Sequence, residues 1–299
     1  MSVALVTGAA GIVGPGICAE LKAAGWTVAA SDRSAEEFAR LEGSGQAPLA
    51  ADAVFPADLA DPGGPAALVA EVRRRHGPIA LLVNAATGHN RAVSMDELDA
   101  AYFERVWRVD TLASVLLAQA AAKPTPGLEL VINFSSVRLQ CVTPGHLPYI
   151  AAKAANEKLT EAMAVELAPR GIRVNCLRLG SVPGEGFLRA ALEPLPPPLA
   201  ARIRDDVLPK QFAAAASSAV LTGAVGRPAD IGRTIAYLAS PAGRFINGAV
   251  IPVDGGYALR QQQRAAAAAA EPTPGRRWMD DPRGSLREWL REHGIEHEL

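Results

Sequence analysis

The sequence predicts an α/β fold: a doubly wound parallel sheet flanked by helices on both faces, built as a single domain with a C-terminal extension. Three observations point there. Short apolar runs alternate along the chain with longer helical patterns, as expected when each strand is followed by a crossover helix. A glycine-rich turn joins the first of these runs to the first helical pattern. And 299 residues at 49% hydrophobic content are enough for a sizeable core.

Taken in order, "VALVT" reads as the first strand, "TGAAGIVGPG" as a turn, and Ile17 to Ala24 as a helix whose first turn tolerates Pro15, because a proline there forfeits no intrahelical hydrogen bond. "TVAASD" and "IALLVN" read as the next strands, and Leu98 to Ala122 as one long helical pattern. "LELVINFSS" is a strand, and Ala151 to Leu167 an alanine-rich helix stopped by Pro169 and Gly171. "RVNCLRL" and "GAVIPVDGG" complete the strands. Between them the loop from Pro183 to Thr222, with "EPLPPPLAAR" and "KQFAAAASS", reads as a lid over a pocket or as a flexible insertion. The expected domain is 1–258. Residues 259–299 form the extension: the biased run "QQQRAAAAAAEPTPGRRW", then "GSLREWLREHG", where Ser285 is placed to cap a short amphipathic helix. Trp278, Leu286, Trp289 and Leu290 suggest that this tail docks instead of remaining free.

A formal charge of -1 and no basic run longer than the arginines 73 to 75 argue against a nucleic-acid partner. No basic region precedes the first apolar residues and no stretch is long enough to span a bilayer, so a cytoplasmic protein without a membrane partner is expected. Cys18, Cys141 and Cys176 are odd in number and far apart, and they read as buried small hydrophobes; no metal site is expected.

Glycines at 8, 11, 14 and 16 follow a strand and precede a helix, the context in which a backbone can approach a pyrophosphate while the helix N-terminus offers free N–H groups. A purely structural turn is the alternative. Gly8, Gly11, Ile12, Val13 and Gly14 are the candidate cradle. Asp32 ends the next strand eighteen positions after Gly14, where a carboxylate can accept hydrogen bonds from a ribose diol and repel a 2′-phosphate, although it can also simply cap a helix. NAD is therefore expected over NADP, with Arg33 as the residue able to partner a phosphate.

Downstream, Ser136, Tyr149 and Lys153 lie in one segment. Tyr149 and Lys153 are four apart and share a helix face, so an ammonium can sit beside the phenol. A neighbouring cation favours a phenolate over a phenol that ordinarily titrates near ~10, bringing it into range as a general acid or base. Ser136 is placed to hold the oxygen that exchanges the proton. Arg138, two residues further on, and His89, Asn90 and Arg91 form a polar set suited to a small hydrophilic substrate such as a polyol, sugar derivative or hydroxy acid. The alternative is that both arginines point into solvent.

In these pieces the chain resembles the short-chain dehydrogenase/reductase family over nearly all of 1–258: the glycine turn, "PADL", "LLVNAAT", "SS…Y…K" with thirteen residues from Ser136 to Tyr149, "RVNCLRLG", "GRPADI" and "VDGGY". The resemblance implies a Rossmann-type subunit, usually a homotetramer and otherwise a homodimer, that moves hydride between NAD(P) and an alcohol or ketone. It implies that Asp58, with Leu59 beside it, contacts the adenine. Asn84, with Ala85 and Ala86, lies near the cofactor ribose. Val182 binds the nicotinamide carboxamide through its backbone, and Lys153 also holds the nicotinamide ribose hydroxyls. The chain departs from the family pattern at three places. Ile12 stands where a glycine is common. Ala85 and Thr87 replace the second asparagine and the glycine of NNAG. Asp110 occupies the fourth catalytic position, usually an asparagine that organises a water chain from Lys153, so that an aspartate is expected to keep the water while losing the amide donor. These departures motivate a second reading, a catalytically impaired NAD-binding sensor or scaffold, and a third, an isomerase or dehydratase with tightly held cofactor.

Overall fold

The computed structural model describes residues 2–43, 48–88, 92–123, 127–180, 182, 195–203, 219–224, 226–266 and 282–292. They divide into two compact units, Met1–Leu179 with Pro228–Pro252, and Gly180–Arg227 with Val253–Leu299.

The first unit is built on a seven-stranded sheet in the order β3-β2-β1-β4-β5-β6-β7. The strands are β1 (Val3–Thr7), β2 (Thr27–Asp32), β3 (Ala53–Pro56), β4 (Ile79–Asn84), β5 (Leu130–Ser136), β6 (Arg173–Leu179) and β7 (Val250–Val253). The ladders from β3 through β6 are all parallel. Every residue of β1, β4 and β5 is buried, the signature of strands covered on both faces, and it explains why their sequences run apolar instead of alternating. β3 was not among the expected strands. It is four residues long, ends in proline and lies at the sheet edge, where a missing N–H is tolerated and half its residues are exposed. β5 begins at Leu130, two residues later than "LELVINFSS" suggests, and β7 keeps only the centre of "GAVIPVDGG".

The helices of this unit are α1 (Gly14–Ala23), α2 (Ala35–Gly43), α3 (Gly64–His76), α4 (Ala100–Trp107), α5 (Ala113–Ala121), α6 (Leu147–Leu167) and α8 (Pro228–Ala239). The single helix expected over 98–122 is interrupted. Asp99 caps α4 by accepting from Tyr102 N at 2.7 Å, and a π-helical turn, Arg108–Leu112, separates α4 from α5. α6 starts a turn earlier than expected, with Pro148 in its first turn, and passes through Ala168–Arg170 to Gly171 at φ 73°. The core lies between the sheet and α3, α5 and α6, with Leu5, Leu82, Val131 and Val174 from the strands against Val72, Leu117 and Met163.

In the second unit, Asp254 accepts from Gly256 N and Ala258 N at 2.9 and 3.0 Å and so caps α9 (Tyr257–Ala266), while Leu221 N donates to Gly255 O at 2.8 Å. The expected boundary at 258 falls inside α9. α7 (Pro197–Arg202) and α10 (Pro282–Glu292) also belong here. α10 is the anticipated tail helix, but it begins at Pro282, which leaves Ser285 inside it and not at its cap. Leu286 and Leu290 are buried. Trp278 lies outside the described residues, as does most of the loop from 183 to 222.

Gly8 and Gly25 both have positive φ, 66° and 86°, yet a Cβ on Gly25 meets nothing within 4 Å, whereas one on Gly8 would lie 2.6 Å from the Ala85 carbonyl oxygen. Gly25→Ala is expected to cost about 1 kcal/mol, for the backbone conformation alone. Gly8→Ala is expected to cost at least about 2 kcal/mol, because overlap is added. Denaturant midpoints of the two variants check the ranking.

Candidate active site

The site gathers at the carboxyl ends of the central strands. Gly8 leaves β1 against the end of β4, and Gly11 N donates to Gly8 O at 3.0 Å to close the turn. A Cβ on Gly14 would lie 2.4 Å from Ala9 O, so the start of α1 presses directly on the turn. Val13 is the N-cap of α1 and no side chain caps that end. The result is a backbone cradle at an uncapped helix N-terminus, which has the form and polarity of a phosphate site. The close packing of the turn requires the glycines, since a Cβ at 8 or 14 would overlap the Ala85 or Ala9 carbonyl, and the uncapped helix end fits a dinucleotide pyrophosphate. Ile12 stands exposed at the rim.

Asp32 ends β2 with its carboxylate over this turn, accepting from Ala10 N at 2.9 Å and Arg33 N at 2.8 Å. Burial pushes its carboxyl above the usual range, against the pull of those two amides. The Arg33 guanidinium pairs with Glu37, which also holds Arg40 at 2.8 Å. After β3, Asp58 accepts from Ala60 N at 2.9 Å and pairs with Arg105 at 3.1 Å; burial alone would raise its carboxyl, but these contacts hold it below the usual range. Leu59 beside it is buried.

Asn84 at the end of β4 donates to Asn133 on β5 at 2.9 Å, and its own Oδ1 is buried without a partner among the described residues, an acceptor facing Thr7, Ala86 and Asp110 in one small cavity. Asn133 donates to Thr160 (3.0 Å), Thr160 to the Asn156 carbonyl (2.7 Å), and Asn156 to the carbonyls of Asp110 (2.8 Å) and Phe134 (3.1 Å). This buried polar chain ties β4, β5, α6 and the π turn together. Sequence reasoning missed Asn133, Asn156 and Thr160; polar residues inside otherwise apolar strand and helix patterns were the available signal.

Tyr149 and Lys153 share a face of α6, the ammonium lying 5.4 Å from the centre of the Tyr149 ring. Ser136 ends β5 and its hydroxyl accepts from Arg138 N at 3.2 Å, capping the turn Val137–Leu139. At Asp110 the carboxylate pairs directly with Lys153, 3.1 Å from Nζ, with both side chains almost wholly buried. Thr87 Oγ1 donates to the same Oδ2 at 2.8 Å, and Gly88 N donates to Oδ1. The Asp110 backbone carbonyl accepts from the Asn156 side-chain amide. Burial alone would lower the Lys153 pKa, but Asp110, Tyr149 and Cys176 together hold it above the usual lysine value.

The Arg138 guanidinium bonds the Thr143 hydroxyl instead of standing free, and it lies near enough to His146 to hold that imidazole, with burial as the larger cause, below its usual pKa. His89, Asn90 and Arg91 lie outside the described residues; the segment that follows them is anchored by Val93 N donating to Gly145 O at 2.9 Å. Val182 belongs to the second unit. Among the described residues no cluster of His, Cys, Asp or Glu has the makings of a metal site, and no helix is long and apolar enough to cross a membrane. Cys18 and Cys176 are buried, their thiols pushed up to about 12 by desolvation.

Removing one member of a buried ion pair leaves the other uncompensated, so Lys153→Met is expected to cost roughly 3–5 kcal/mol, and Lys153→Met/Asp110→Leu distinctly less. Because the folded state raises the Lys153 pKa, the pair's contribution is fully present below the unfolded value near ~10.4 and fades only as pH climbs through the folded one. Chemical denaturation of wild type and double variant from neutral to alkaline pH checks both size and sign.

The chain matches the family model described as "Enoyl-(Acyl carrier protein) reductase" over residues 8–258. It is 31% identical over 263 residues to acetoacetyl-CoA reductase of Allochromatium vinosum, covering 85% of this chain and 97% of that protein. It is likewise 31% identical over 260 residues to galactitol 2-dehydrogenase (L-tagatose-forming) of Cereibacter sphaeroides, covering 86% and 94%. Among solved structures, a blue fluorescent protein from a metagenomic library in complex with NADPH matches with a TM-score of 0.66 at 28% identity, over 86% of this chain and 97% of that one. With a sheet in this strand order, a glycine cradle after β1 and a Ser136, Tyr149, Lys153 set on β5 and α6, the chain belongs to the short-chain dehydrogenase/reductase family of oxidoreductases.

Proposed function

We propose that the protein is an NAD-dependent dehydrogenase or reductase that interconverts a small polar secondary alcohol, such as a polyol, sugar derivative or hydroxy acid, with its ketone. The observation that carries this reading is the placement of Tyr149 beside a buried, charge-compensated Lys153 at the carboxyl edge of the sheet. The cradle of Gly8, Gly11, Ile12, Val13 and Gly14 would hold the pyrophosphate, Asp32 the adenine ribose and Asp58 with Leu59 the adenine. Asn84, Ala85, Ala86 and Lys153 would hold the nicotinamide half, the unpartnered Asn84 Oδ1 being an acceptor ready for a hydroxyl. The bound dinucleotide supplies the hydride acceptor at C4 of its nicotinamide, or the donor in the reverse direction.

The chain's own residues handle the proton. The Ser136 hydroxyl orients the substrate oxygen, and the Tyr149 phenol oxygen takes the hydroxyl proton in oxidation or returns one in reduction. Lys153 stabilises the negative charge that develops on the phenol oxygen, an effect made strong by the low polarity around a buried ammonium. Preference for NAD is supported by the Asp32 carboxylate at the ribose end and by Glu37, which holds the guanidinium of Arg33 that could otherwise meet a 2′-phosphate. The polar substrate class is supported by two relatives named for polyols, galactitol 2-dehydrogenase and the D-threitol dehydrogenase of Mycolicibacterium smegmatis, and by Arg138 and a neutral His146 on the segment that leads into α6, His89 and Arg91 being part of the same proposal. Part of the same proposal are a homotetrameric or homodimeric assembly and a cytoplasmic location. A second reading, a cofactor-binding sensor without turnover, is favoured by one observation: Asp110 engages Lys153 directly.

NADH absorbance across a panel of polyols, hydroxy acids, sugar acids and secondary alcohols separates the two: turnover supports the enzyme, and tight NAD binding with no turnover supports the sensor. Tyr149→Phe is expected to lower kcat by roughly 10²–10⁴-fold with NAD affinity preserved. NAD is expected to outperform NADP in kcat/KM, and Asp32→Ser to narrow the difference; equal efficiency with NADP in the wild type would overturn the cofactor assignment.

A further inference from the structure

Thr87 is exposed, yet its hydroxyl reaches a buried charge. It donates to Asp110 Oδ2 at 2.8 Å, with the Gly88 carbonyl, at 3.3 Å, a weaker alternative acceptor. Oδ2 is also the oxygen that faces Lys153 Nζ, while Oδ1 takes the Gly88 amide. One carboxylate oxygen is thus shared between a hydroxyl at the surface and the ammonium beside Tyr149. A carboxylate's negative charge is finite: a donor that draws density toward itself leaves less for the next one. We propose that Thr87 is a positioning residue which, through Asp110, sets how much of the Lys153 charge is left to act on Tyr149. The proposal deepens the dehydrogenase reading, since in that reaction the Tyr149 oxygen changes its protonation.

The other groups around Lys153 leave Asp110 as the anion in contact with it. Cys176 faces it from β6 as a thiol whose pKa burial pushes up to about 12, so it stays neutral in the working range. Glu157, one turn further along α6, accepts from Nε and Nη2 of Arg178, each at 2.7 Å, and from the Ser135 hydroxyl at 2.6 Å. On the segment before α6, Arg138 is held by Thr143, and His146, kept below its usual pKa, is neutral where a phenol titrates. From the β4 side, Thr87 and Gly88 bring donors but no charge. Because Thr87 itself is exposed, truncating it opens no core cavity, and its effect is confined to the bond it makes.

Asp110→Asn removes the anion, and with it the partner that keeps the buried Lys153 charged, so it serves as the background in which the Thr87 effect must vanish. Thr87→Val keeps the shape but removes the donor, so Asp110 turns more of its charge on Lys153 and phenolate is disfavoured. The decisive measurement uses the cofactor-free protein: ultraviolet titration of tyrosinate, with the Tyr149→Phe protein subtracted to isolate Tyr149 from the other tyrosines. Relative to wild type, Thr87→Val is expected to raise the midpoint by about half a unit. Thr87→Ser restores the wild-type midpoint, and Thr87→Val adds nothing in the Asp110→Asn background, because coupling through a shared partner vanishes with that partner. A silent Thr87→Val, or an equal shift with and without the Asp110 carboxylate, overturns the proposal. The same shifts are expected in the acid limb of kcat/KM for alcohol oxidation. If the titrations behave as stated while no alcohol in the panel is oxidised, the Thr87 assignment stands and the dehydrogenase reading falls; if oxidation proceeds while the titration ignores Thr87, the reverse holds.

Discussion

A lysine ammonium and an aspartate carboxylate, both almost wholly removed from water, can coexist in a protein interior only as a compensated pair with their remaining hydrogen-bonding capacity used. Much of the site follows from meeting that condition at Lys153 and Asp110. Thr87 and Gly88 supply donors to the carboxylate from the end of β4, and Asn156 takes the backbone carbonyl behind it. Asn156 is in turn linked through Thr160 and Asn133 to Asn84, so the compensation of one ion pair is continuous with the polar network that joins β4, β5, α6 and the π turn. Loosening any member leaves a buried polar atom without its partner, which gives the region reason to be rigid.

The parallel sheet supplies the geometry in which this pair becomes useful. Parallel strands point their carboxyl ends to one edge, and there the chain places Gly8 after β1, Asp32 on β2, Asp58 after β3, Asn84 on β4 and Ser136 on β5. β1 and β4 are neighbours although three strands apart in the chain, which makes the gap above them the switch point where connections leave in opposite directions. The glycine turn fills one side of that gap and the Asp110–Lys153 pair the other, so the apolar strand interiors act as a scaffold and the chemistry is confined to their last residues.

What was legible in the sequence is what local spacing determines. Glycines at 8, 11 and 14 announce a turn because the backbone there has no room for a Cβ, and Tyr149 with Lys153 announce a shared face because four residues make about one helical turn. Asp32 was visible as the last residue of a strand. What stayed hidden depends on partners distant in sequence. The direct contact of Asp110 with Lys153 spans forty-three positions, and nothing near "RVDTL" signals it. The bond from Arg138 to Thr143 was equally hidden, because Thr143 lies in a loop without periodicity. β3 was missed because four residues ending in proline carry too little pattern, and the π turn because apolar spacing runs on through Leu98 to Ala122 as though the helix were regular.

That π turn decides where Asp110 points. An α-helix advances about 100° per residue, so one additional residue in a turn rotates everything beyond it by that angle relative to everything before. α4 and α5 thus keep separate faces toward the protein while Asp110, between them, turns inward. The carboxylate's position is a matter of winding as much as of residue identity. Writing an aspartate into an uninterrupted helix would aim it elsewhere, so the reach of this acid to Lys153 depends on the extra residue in the turn as well as on the side chain.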